Sequence, residues 1–190
     1  MGVKTGRVLS TGSSSHRPPI LAVVGWSNSG KTTLIERLIP VLSAKGYKIA
    51  TIKHDAHRID IDTEGKDSWR HRKAGAQAVV LVSPNIVFHT EVVTTQPTLE
   101  EIRDRYLSGD VDLILAEGFK QAAVPKIEVN RKARSRDLIS RLDDPLLIAV
   151  VSDQRLSPTC PVYPLDAILD IAHLIESRFL KTTDARPLAT

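Results

Sequence analysis

Apolar positions follow two rhythms along this chain. Apolar runs at 20–24 and 146–151, and at 111–116 with one interruption at Asp112, suit strands buried on both faces of a parallel sheet. Leu34, Ile35, Leu38, Ile39 and Leu42 instead recur at helical spacing up to Gly46, with Pro40 expected to kink that helix. A second strand is predicted over 47–53, and further strands over 78–82 and 86–93. Asp67 is a candidate cap for a short helix through Ala74, and Thr98 with Glu101 forms a capping box for a helix ending near Gly109. Residues 126–130 alternate as a half-exposed strand would. A last helix is predicted from Asp166, with Ile168, Ile171, Ala172, Ile175 and Phe179 on one face. Strands alternating with helices predict a three-layer α/β fold with a largely parallel sheet, which binds ligands beyond the carboxyl ends of its strands.

Composition narrows the picture. Residues 1–19 are basic, Ser- and Gly-rich and poor in apolar groups, so they read as a disordered tail without the apolar centre of a signal peptide. Residues 20–181 are expected to form a single domain, and 182–190 a flexible end. No apolar run approaches bilayer length, which predicts a soluble protein with no membrane partner. The single Cys160 excludes an internal disulfide and a multi-cysteine zinc site, and fits the cytoplasm. A net charge of +4 raises the question of nucleic acid, but the basic clusters at 70–73 and 131–136 lack interleaved aromatics, so no nucleic-acid partner is expected.

The sharpest chemical signal is Gly25-Trp26-Ser27-Asn28-Ser29-Gly30-Lys31-Thr32, which fits the P-loop pattern between an apolar strand and an amphipathic helix. In such a loop the backbone amides and the helix start cradle phosphates; Lys31 reaches them as a point charge, and Thr32 completes a Mg²⁺ shell with Thr33 beside it. Phosphoryl chemistry also needs a carboxylate at a neighbouring strand tip, and Glu117 occupies that position. Lys31 and Glu117 are therefore the candidate catalytic residues, and Thr32 and Glu117 the candidate metal ligands. Residues 53–73 are dense in Lys53, His54, Asp55, His57, Asp60, Asp62, Lys66, Asp67 and Arg70, and read in part as a switch beside the phosphates. Asp153 follows the 146–151 strand; a carboxylate there would accept the N1–H and amino donors of guanine and repel the N1 lone pair of adenine.

Several stretches together resemble the molybdopterin-guanine dinucleotide biosynthesis protein B (MobB) family: the P-loop followed by TTLIERLIP, then IKHDAH, DID, GKDSWRHRKAGA, LILAEGFK, PKIEV and IAVVSD, in that order from Ile20 to about Asp153. The resemblance implies a GTP-binding, weakly GTP-hydrolysing accessory protein in the last step of making the guanine dinucleotide form of the molybdenum cofactor. It implies a homodimer that assists a separate MobA-type transferase joining GMP to molybdopterin, with molybdopterin itself a candidate ligand. Carried over by position, Gly30, Lys31 and Thr32 would hold phosphate and Mg²⁺, while Lys53, His54, Asp67, Glu117, Gly118 and Lys120 would line the site. The residues alone leave open a P-loop kinase, for which 131–141 would serve as an Arg-rich lid, and a non-catalytic nucleotide-switched adaptor. A nickel-insertion GTPase would need a His-rich tract that is missing from the sequence.

Overall fold

The computed structural model describes residues 17–55, 62–107 and 109–180. A six-stranded sheet runs through its centre in the order β2-β5-β1-β6-β7-β8. Its strands are β1 (Ile20–Val24), β2 (Ile49–Lys53), β5 (Leu113–Glu117), β6 (Lys126–Asn130), β7 (Leu147–Ser152) and β8 (Val162–Tyr163). All five pairings are parallel. Strand β8, only two residues long, has too little pattern to be anticipated from the sequence.

The continuous apolar runs are explained by two cores. Alternate residues of each strand point to opposite faces. Leu21, Val23, Leu113, Leu115 and Val151 therefore pack on one side with α1 (Lys31–Ser43) and α4 (Ile168–Phe179), through Leu34, Leu38, Leu42, Ile171 and Ile175. Ile20, Ala22, Val24, Ile114 and Ala116 face the other side and meet Leu99 and Ile102 of α3 (Leu99–Tyr106). These are the three layers the pattern predicted. Leu38, Leu42, Ile171 and Ile175 are wholly buried, each contributing about 1.5–3 kcal/mol of hydrophobic stabilisation. Helix α1 runs through Pro40, and Thr98 and Glu101 form the expected reciprocal cap of α3. No helix among the described residues is long and apolar enough to cross a membrane.

Three expectations are corrected. Strand β6 is buried along its whole length rather than half-exposed. Its polar residues are satisfied internally: Glu128 accepts the amides of Ile139 and Ser140 at 2.6 and 2.8 Å, and Lys126 pairs with Asp144 at 3.3 Å. Asp67 does not cap α2 (Asp67–Lys73); it is the first helical residue, Lys66 holds the cap position, and no side chain caps the helix. Helix α4 starts at Ile168, two residues after Asp166. The runs at 78–82 and 86–93 are strands β3 (Ala78–Val82) and β4 (Val87–Glu91), but they pair only with each other, as an antiparallel hairpin outside the main sheet.

Candidate functional site

The central position of β1 places its carboxyl end between β5 and β6, and the P-loop leaves from that point. Gly25 follows at φ 144°, and a β-carbon on it would lie 2.2 Å from the Val129 carbonyl oxygen. Only glycine fits there. Gly30 closes the loop at φ 104° and leads directly into α1, which has neither a side-chain cap nor an acidic residue in its first turn. Its leading amides thus keep their capacity for an anion. Beneath the loop, Ser29 is fully buried with no hydrogen-bond partner for its hydroxyl.

Parallel register brings the other half of the site alongside. Glu117 lies level with Val23 of β1 and Lys53 of β2, so Lys53 and Glu117 emerge together next to the loop. The Thr32 hydroxyl donates to the Glu117 carboxylate, at 2.9 and 3.1 Å from its two oxygens. The Lys31 ammonium donates to the Trp26 and Gly25 carbonyls at 2.8 and 3.3 Å. Burial holds Lys31 below the usual lysine pKa; Glu117 works against this, and the charges of Lys120 and Lys53 add to it. The His54 amide extends the β2–β5 ladder by donating to the Glu117 carbonyl at 2.9 Å, and its ring lies 5.2 Å from that of Phe119. Lys120 sits 5.5 Å from the centre of the Trp26 ring.

Together these groups line a cleft of about 1040 Å³, where Lys31, Lys53 and Lys120 stand with the acids Asp55 and Glu117. Of the residues expected at the site, Gly25, Ser27, Asn28, Gly30, Lys31, Thr32, Thr33, Lys53, His54, Glu117, Gly118 and Lys120 line it. Ser29 lies under it. Asp67 is elsewhere: its side chain is 88% exposed beside Arg70, in a separate depression with Trp69 and Lys73. Asp153 stands beyond β7, outside the lining of the cleft, and its carboxylate accepts the Lys132 amide at 2.8 Å. His57 and Asp60 lie outside the described residues, and no three His, Cys, Asp or Glu side chains gather among those described. Gln96, Gln121 and Ala122 also line the cleft. Gln96 comes from the loop before α3, for which the sequence carries no signal.

Paired hard oxygen donors from Thr32 and Glu117, next to a glycine loop and a lysine, fit a Mg²⁺ ion shared with phosphate oxygens. The sheet order, the loop and the acid beside it define a P-loop NTPase-like α/β protein. The sequence model of a family described as molybdopterin guanine dinucleotide synthesis protein B, MobB, matches residues 20–153. A molybdopterin-guanine dinucleotide biosynthesis adapter protein of Haemophilus influenzae is 37% identical over 166 residues, 86% of this chain and 90% of that protein. Its Escherichia coli counterpart is 35% identical, covering 83% of this chain and 91% of its own length. Among solved structures, Bacillus subtilis MobB superposes with a TM-score of 0.70 at 29% identity, over 87% of this chain and 99% of that one. The chain belongs to the MobB family.

Proposed function

We propose that this chain is an adapter in molybdopterin guanine dinucleotide biosynthesis that binds GTP with Mg²⁺ in the P-loop cleft and hydrolyses it slowly. In this reading a separate guanylyltransferase performs the joining of GMP to molybdopterin. The observation that carries the nucleotide site is the Thr32 hydroxyl held against Glu117 beside the loop. The adapter role rests on relatives of that name covering most of the chain.

Each residue then has a task. Lys31 exchanges its two loop carbonyls for phosphate oxygens, so that its ammonium meets an anionic acceptor in place of neutral ones. Thr32 and Glu117 would hold Mg²⁺, whose charge offsets that building on the phosphates. Lys53 and Lys120 add positive potential at the open side of the cleft. Asp153, at the same edge of the sheet but outside the lining of the cleft, is the candidate reader of guanine, which would extend past β6 to meet it. The hairpin β3–β4 leaves Val80, Val82, Ile86 and Val87 more than half exposed, and we take it as the surface through which two copies pair. A kinase lid must move, but the 131–141 segment is tied down: Glu128 holds Ile139 and Ser140, Asp153 holds Lys132, and Trp26 donates to the Asp137 carbonyl at 3.2 Å.

Reconstitution tests this reading. Molybdopterin, Mg²⁺-GTP and a molybdopterin guanylyltransferase are combined with the wild-type chain, with Lys31→Ala, or with neither. Dinucleotide formation should rise with the wild type and fall back to the transferase-only level with Lys31→Ala. Equal yields in all three mixtures would contradict the adapter role.

A further inference from the structure

Arg131 is the first residue after β6 and lies against the P-loop. A β-carbon built on Gly30 would sit 3.5 Å from its Nε and 3.6 Å from one of its terminal nitrogens. The guanidinium therefore stands beside the glycine that leads into Lys31. Its side chain is exposed, and no acidic residue among those described pairs with it. Arg141, at the far end of the same segment, is by contrast held by Asp143 at 3.0 Å.

The backbone beneath Arg131 is fixed from both sides. The preceding Asn130 is buried, and its side-chain amide donates to the carbonyl of Asp137 at 3.1 Å. The following Lys132 gives its amide to Asp153. The Arg131 carbonyl accepts the amides of Arg134 and Ser135 at 2.8 and 3.0 Å, closing a turn. Trp26, a member of the P-loop itself, joins the far side of this turn through Asp137. On such a base, binding asks no ordering of the backbone that carries the guanidinium, only of its side chain.

We propose, building on the nucleotide site above, that Arg131 is a built-in guanidinium donor to the nucleotide's phosphates, closing the cradle from the β6 side while Lys31 closes it from within. Arginine suits this place because its planar fork can meet two phosphate oxygens at once. With no acid among the described residues paired to it, that fork is left for an anionic ligand. No large movement is asked of the loop.

The test is calorimetric titration of the full chain, wild type, Arg131→Ala, Arg131→Lys and Arg134→Ala, with GTP, GMP and guanosine at fixed Mg²⁺. Arg131→Ala should weaken GTP by about ten- to a hundredfold, as expected for losing a charged hydrogen-bond donor. Arg131→Lys should recover part of this, and Arg134→Ala should match wild type. All variants should melt with wild type, because the substituted side chains are exposed. Affinity for GTP within twofold of wild type in Arg131→Ala would overturn the proposal alone, as would an equal loss for guanosine, which has no phosphate. A wild-type chain that binds none of the guanine ligands would overturn the nucleotide site and this proposal with it.

Discussion

Thr32 and Glu117 are separated by 85 residues of chain and by 2.9 Å of space. The contact exists because β1 and β5 are parallel neighbours whose register sets Val23 level with Glu117, so the loop after one strand meets the tip of the other. Glu117→Gln keeps the size and one carbonyl acceptor for Thr32 but removes the negative charge that would help hold Mg²⁺. Single-turnover GTP hydrolysis should fall by about 10-fold or more, since losing even a partner of a metal ligand costs about 10- to 100-fold, while nucleotide affinity, carried by the loop and Lys31, changes little. Unchanged hydrolysis would remove Glu117 from the chemistry. That Glu117 was visible from sequence follows from its place at the end of an apolar run. The same logic brought in Asp153, which does emerge on that edge, but two strands away from β1 and already bonded to Lys132. Strand-tip reasoning selects the edge of the sheet; it says nothing of which cleft a side chain enters. Asp67 shows another limit, since a short charged helix offers no periodicity from which to derive its orientation.

Secondary structure was legible where both faces of a strand are buried, because β1, β5 and β7 are continuous apolar runs. Strand β6 was misread for a physical reason: Lys126, Glu128 and Asn130 look solvent-facing, yet inside the protein Asp144 pairs with Lys126, backbone amides donate to Glu128, and the Asp137 carbonyl accepts from Asn130. The hairpin was read as two strands, but a strand's pattern does not name its partner, and β3–β4 was not foreseen as a separate unit. Val82 and Val87 are directly opposite each other on it and are 76% and 66% exposed. Apolar residues at such exposure are favoured by burial against another surface. If that surface is a second copy, Val82→Glu with Val87→Glu should convert a wild-type dimer to monomer in sedimentation equilibrium at micromolar protein, with little loss of monomer melting temperature. A wild-type monomer, or a double variant still dimeric, would contradict the hairpin as the interface.

At the scale of the molecule, the parallel sheet gathers the ends of β1, β2 and β5 into one cleft and sets α1, with its uncapped start, behind the loop. The excess of positive charge that a bulk count left uninterpreted is in part local. Lys31, Lys53 and Lys120 line the cleft, and Arg131 stands at the P-loop, a distribution suited to a polyphosphate. Whether this cleft holds guanine nucleotide is decided by calorimetric titration with GTP and ATP, each with and without Mg²⁺, in wild type and Lys31→Ala. GTP should bind more tightly than ATP by about tenfold or more, as one charged hydrogen-bonding group on the base allows, with binding strengthened by Mg²⁺ and lost in Lys31→Ala. GTP bound equally by wild type and Lys31→Ala, or by neither, would contradict the nucleotide site.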